Sequence, residues 1–139
     1  IAMTSTFAVA CGNSSDTTQE KAELPEITVD ALASALDKDP AKVTVCDANG
    51  EETRKEFGVI PGATLLDGYD KFDVNALAGS KDQSLVFYCS SEQCSAAPKA
   101  AAKAVEAGYK DVKVLRAGIK GWVKAGQKTE DHEYDEQFN

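Results

Sequence analysis

The chain has 139 residues, 42% of them hydrophobic and 27% charged, which suits one ordinary globular domain with its own core. Disulfide staples are therefore optional. A formal charge of -8, a pI near 4.6 and only two arginines, Arg54 and Arg116, leave no basic patch of the kind that holds a phosphate backbone, so nucleic acid is not an expected partner.

The first segment, "IAMTSTFAVACGNSSDTTQEKAELPE", passes from a short apolar stretch through Cys11 into a Ser/Thr/Glu-rich stretch that cannot bury enough surface to fold. Residues 1–25 read as a leader followed by a linker from residue 12. "FAVAC" resembles the end of a bacterial lipoprotein signal, in which small residues precede a cysteine that is lipidated after cleavage. That resemblance implies a lipid on Cys11 and a location at the bacterial cell envelope, periplasmic or otherwise outside the cytoplasm. The apolar run is too short to span a bilayer, so the expectation is a protein anchored to the membrane and not inserted in it. The alternative is a disordered leader with an incidental cysteine.

Residues 26–128 alternate between helical and strand patterns. "ITVDALASALDKD" predicts a helix capped by Thr28, with Leu32, Ala35 and Leu36 on one face and Pro40 beyond its end. "KVTVCDA" predicts a strand, "GEETRKEFG" a short acidic helix with a solvated face, and "VIPGATLL" a turn entering a short extended segment. "YDKFDVNALAGSKD" predicts a further helical turn or two. "QSLVFYC" is the most apolar strand, "SAAPKAAAKAVEAG" a helix ending at Gly108, "DVKVL" a strand and "GIKGWVKAG" a last short helix with Trp122 as its core anchor. Residues 129–139 form an acidic tail. Strands alternating with helices predict an α/β fold of three layers, a mostly parallel central sheet covered by helices on both faces.

In such sheets, sites form beyond the carboxyl ends of the strands, and Cys89 sits at the end of the most buried one. The helix that follows almost at once presents unpaired amides and about half a positive charge at its N-terminus, which stabilises a thiolate. Pro98 is compatible with a first helical turn. Cys89 therefore reads as a nucleophile, against the alternative of a small buried hydrophobe.

Three segments together resemble the rhodanese-like sulfurtransferase domain. They are "VTVCDANGEETRKEFGVIPGATLL", with Asp47, Ile60, Pro61, Gly62 and Ala63 in place, "LVFYCSSEQCSAAPKAA", and "AGYKDVKVLRAGIKGWVKAG", with Gly118, Trp122, Ala125 and Gly126. The resemblance implies that Cys89 takes sulfane sulfur as a persulfide, held by a loop cradle of Ser90, Ser91, Glu92, Gln93 and Ser95, and passes it to a thiophilic acceptor. It also implies that Asp47 accepts hydrogen bonds that orient the cradle. Related phosphatases use a longer loop and would need an arginine at Ser95. The expected partners are small-molecule or protein persulfide and thiol donors and acceptors.

Departures from the family pattern carry information of their own. Cys94 stands where most active members have a loop arginine, Asn49 and Val59 replace a usual Arg and His, and Glu92 adds a negative charge. These changes remove groups that would bind thiosulfate, with Arg54, Lys99 and Lys120 as cations that could compensate. A thiol at Cys94 can attack a Cys89 persulfide or mixed disulfide and leave a Cys89–Cys94 disulfide, provided the two Cα atoms approach within about 7 Å. Against this stands a Cys94 that merely caps the helix or fills space. Three functions follow in order: persulfide transfer through Cys89, a thiol-disulfide or persulfide oxidoreductase using Cys89 and Cys94, and a non-catalytic binding module. The spacing of Cys46, Cys89, Cys94 and His132 does not match structural zinc sites, so no metal and no cofactor are expected, and Cys46 is expected to pack in the core.

Overall fold

The alternating pattern resolves into a four-stranded sheet in which every pairing is parallel, in the order β2-β1-β3-β4. The computed structural model describes residues 24–132. The strands are β1 (Val43–Asp47), β2 (Thr64–Leu65), β3 (Ser84–Tyr88) and β4 (Asp111–Leu115), and the helices are α1 (Val29–Lys38), α2 (Glu51–Phe57), α3 (Ala96–Glu106) and α4 (Gly118–Lys124). Thr28 caps α1 as predicted, its Oγ1 accepting from the Ala31 amide at 3.1 Å.

Side chains alternate along each strand, so the two faces of the sheet build two cores. Cys46, Leu85, Phe87, Val112 and Val114 pack against α3, whose buried stripe is Ala97, Ala100, Ala101 and Ala104. That spacing puts only methyl groups on the facing side, which lets the helix lie close to the sheet. Val45, Val86, Tyr88 and Leu115 pack on the other face against Leu32 of α1, Ile60, and Ile119 and Trp122 of α4. β3 is covered on both sides, which is why it reads as an unbroken apolar run. Trp122 is the expected anchor, buried, with Nε1 donating to the Lys128 carbonyl at 2.8 Å.

The structure refines the sequence reading at four places. The helical turn expected before β3 is a three-residue 3-10 turn, Val74–Ala76, kept short where the Asp73 carboxylate captures the Asn75 amide at 3.0 Å and competes with helix propagation. The charge run on α2 is not wholly solvated, since Arg54 turns inward and is buried. The linker stops short of residue 25: the Pro25 carbonyl accepts from Val114 at 2.9 Å, and Glu26 bridges in parallel to the edge of β4. At the other end, Val59 and Glu130 exchange backbone bonds of 2.9 and 2.8 Å, so the pattern of pairing runs past residue 128. Cys11, the rest of the leader and residues 133–139 lie outside the described residues.

Candidate functional site

Cys89 follows directly on β3, buried in the α3-side core, at the carboxyl edge of the parallel sheet. The next residues do not continue the ladder. Their carbonyls are taken by the start of α4: Ile119 N donates to Cys89 O at 2.8 Å and Lys120 N to Ser90 O at 3.0 Å. Gly118 permits this approach. It sits at φ +67°, and a Cβ there would come within 2.5 Å of the Ser90 carbonyl carbon and oxygen. The loop then closes on itself through Cys94 N to Ser91 O at 3.1 Å and enters α3.

Cys89 and Cys94 are joined by a disulfide, with their Cα atoms 6.3 Å apart. Ser90 and Ser91 are half-buried, whereas Glu92, Gln93 and Ser95 are exposed. Ser95 occupies the N-cap position of α3 without a side-chain capping bond. Among the described residues, the amides of Ser90, Ser91, Glu92 and Gln93 donate to no protein oxygen. The loop thus keeps the unsatisfied donors that a small anion requires.

Asp47 lies at the end of β1, opposite Tyr88 in register, and is fully buried. Its carboxylate accepts from Asn49 N at 2.7 Å and from the Tyr88 hydroxyl at 2.6 Å, and pairs with Arg54 Nε at 3.4 Å. Arg54 also reaches the carbonyls of Asp47 and Leu66 at 3.0 and 2.8 Å, while the Tyr88 hydroxyl accepts from Ile60 N at 3.1 Å. Asp47 therefore makes its bonds to the turn after β1 and to the residue before Cys89, with none to the amides of residues 90–95. Burial, followed by the Asp47 charge, drives the Tyr88 hydroxyl well above its ordinary range. The same two causes push the Cys46 thiol up to about 12. Cys46 is a core residue as expected.

The cations expected to compensate for the missing loop arginine have other engagements. Arg54 is committed to Asp47, Lys99 lies over the Tyr69 ring at 4.9 Å and Lys120 over the Phe57 ring at 5.6 Å, while the other arginine, Arg116, faces Glu26 at 3.7 Å. Asn49 is buried with its Nδ2 unpaired. Among the described residues no group of three or more His, Cys, Asp and Glu side chains converges as a metal site.

Sequence reasoning named Gly118 only as part of a motif and missed its contact with the loop. A glycine between a strand and a helix is the available signal, since that junction often needs a positive φ. Tyr88 and Arg54 were missed as partners of Asp47. A hydroxyl at the end of an apolar strand and a lone arginine in an acidic helix are their traces.

The model of the rhodanese-like domain family matches residues 28–125. No curated protein sequence matches the chain. Among solved structures, a Bacillus halodurans protein is 27% identical with a TM-score of 0.65, each chain covered over 80% of its length. The rhodanese-like domain of an Anabaena protein is 20% identical with a TM-score of 0.63, covering 80% of this chain and 89% of that one. A 3-mercaptopyruvate sulfotransferase from Escherichia coli is 23% identical with a TM-score of 0.60, and the match covers 81% of this chain and 52% of that protein.

Proposed function

Because the chain belongs to the rhodanese-like domain family, we propose that it transfers sulfane sulfur through Cys89 and uses Cys94 as the resolving thiol. The observation that supports this most is the pairing of Cys89 with Cys94, Cα atoms 6.3 Å apart, across a loop in which the amides of Ser90, Ser91, Glu92 and Gln93 donate to no protein oxygen among the described residues. In the reduced protein the Cys89 thiolate attacks the sulfane sulfur of a persulfide R-S-SH. A bond forms between Cys89 Sγ and that sulfur, the bond to R-S breaks, and the thiol R-SH leaves with the proton. The outer sulfur then carries negative charge beside the loop amides, which hold it without needing a cation. An acceptor thiolate can remove it directly. Alternatively, the Cys94 thiol gives its proton to the outer sulfur and its sulfur attacks Cys89 Sγ, hydrosulfide departs with that proton, and the Cys89–Cys94 disulfide forms; a dithiol reductant supplying two electrons and two protons returns both cysteines to the reduced state.

The disulfide itself also favours a second reading, a thiol-disulfide oxidoreductase in which Cys89 exchanges with disulfides and never carries sulfane sulfur. Phosphatase chemistry fits less well, since Ser95 stands where the phosphate loop would need an arginine and Arg54 is already paired. The same shortage of free cations, together with Glu92, makes thiol-linked persulfides better donors than the dianion thiosulfate.

Intact mass after incubation with glutathione persulfide separates the readings. Wild type gains one sulfur transiently and ends as the disulfide with hydrosulfide released, while Cys94→Ser keeps the added sulfur. No sulfur gain in either protein would eliminate transfer and leave exchange. We place the protein at the bacterial envelope through a lipid on Cys11, a reading supported by "FAVAC". Labelled palmitate should enter the full chain in bacteria and be lost in Cys11→Ala.

A further inference from the structure

We infer that α4 sets the reactivity of Cys89 from the opposite face of the sheet, by turning the Ser90 and Ser91 amides toward the sulfur. This rests on the sulfur-transfer reading for its purpose, although the geometry stands apart from it. Cys89 belongs to the core cluster shared with α3, where Cys94 also packs, whereas Ile119 and Trp122 of α4 belong to the cluster on the other side. α4 draws the Cys89 and Ser90 carbonyls to its own side through the amides of Ile119 and Lys120, at 2.8 and 3.0 Å. In a trans peptide the carbonyl of one residue and the N-H of the next point in opposite directions. The Ser90 and Ser91 N-H groups therefore point away from α4, toward the face that carries the Cys89 sulfur.

Two further observations fit. Neither of those amides donates to another group among the described residues, so both are free for a sulfur anion. Gly118 carries the left-handed φ of +67° that allows the contact, and any Cβ there collides with the backbone of Cys89 and Ser90. The carbonyl bonds also polarise the same peptide units, which strengthens the opposite N-H as a donor. Gly118, Ile119 and Lys120 are thus positioning residues that act through the loop without touching substrate. Their effect is on the thiolate: donors aimed at the charged form lower a pKa, and losing their aim raises it.

The test uses the full reduced chain in a Cys94→Ser background, with the rate of Cys89 alkylation by iodoacetamide measured across pH. Lys120 is exposed and lies in the first turn of α4, where proline is tolerated. Lys120→Pro and Lys120→Ala both lose the ammonium, but only the proline variant loses the N-H that binds Ser90. The expected result is a midpoint roughly one pH unit higher in Lys120→Pro than in Lys120→Ala, about a tenfold slower reaction at neutral pH. Equal midpoints in the two folded variants would overturn the inference. Should the proline variant fail to fold, wild-type protein gives a second reading by NMR: the Ser90 and Ser91 amide protons move downfield on forming the Cys89 thiolate, and unmoved resonances would overturn it equally. Failure of Cys89 to accept sulfur would defeat the transfer reading while leaving both of these outcomes intact.

Discussion

Cys46 and Cys89 belong to the same core cluster on one face of the sheet, and their backbone surroundings differ. Cys46 pairs in register with Phe87 in the middle of the sheet, where burial and the neighbouring Asp47 charge push its thiol up to about 12. Cys89 sits two residues further along, just past the end of β3, where backbone amides stop serving a ladder and become free. Both side chains are nearly inaccessible, Cys46 at 0% and Cys89 at 3%, so exposure does not distinguish them. What differs is the supply of unpaired donors. A buried thiol without them stays protonated, and one beside them gains a stabilised anion.

The comparison is broken most severely at the nucleophile. Cys89→Ala should abolish sulfur gain from glutathione persulfide by intact mass, whereas Cys46→Ala should load as wild type does at a temperature where it remains folded. A fully loaded Cys89→Ala would show that the strand end confers nothing.

Next in size is Asp47→Ala, which leaves the Arg54 guanidinium buried without its carboxylate and the Tyr88 hydroxyl without its acceptor. Removing one member of a buried charge pair costs about 3–5 kcal/mol. Urea unfolding should show that loss, and a change under about 1 kcal/mol, the scale of an exposed pair, would mean the network is solvated. The same variant sharpens the comparison, because the network braces the residues beside both cysteines.

The smallest effect is on the alkaline side of stability. The folded Cys46 thiol titrates near 12 and its unperturbed value is 9.0. The unfolded chain therefore gives up this proton first as pH rises. The contribution is complete below pH 9.0 and is lost progressively between 9.0 and about 12. Tyr88, raised above its own ordinary value of 10.0, acts in the same direction at higher pH. Cys46→Val, a swap of similar volume, should cost less than about 1.5 kcal/mol near neutrality and flatten the fall above pH 9.0. An unchanged alkaline slope would remove Cys46 from that account.

The parallel α/β architecture was legible because periodicity is a local property. β1, β3 and β4 appear as apolar runs, α1 announces itself through Thr28, and the alanine stripe of α3 repeats at helical spacing. The Cys89 position was legible too, since a strand-to-helix junction is visible in "LVFYCSSEQCSAAPK". What stayed hidden depends on distant segments meeting. Nothing in "GEETRKE" says that Arg54 folds under β1 to meet Asp47, and nothing near Cys89 says that the amide of the distant Lys120 will hold Ser90. The single helical turn within residues 69–82 was legible as well, though not its length, because Asp73 is as good a turn former as a helix starter and its local bond to Asn75 keeps the turn short.

The central claim is that position at the strand end, and not the thiol itself, makes Cys89 reactive. The most direct test is alkylation of the reduced, folded full chain by iodoacetamide across pH, with each cysteine read separately by peptide fragmentation. The account predicts a Cys89 midpoint below the unperturbed thiol value of 9.0, with Cys46 unmodified throughout the range in which the protein stays folded. A Cys89 midpoint at or above that value, or Cys46 reacting alongside it, would contradict the account.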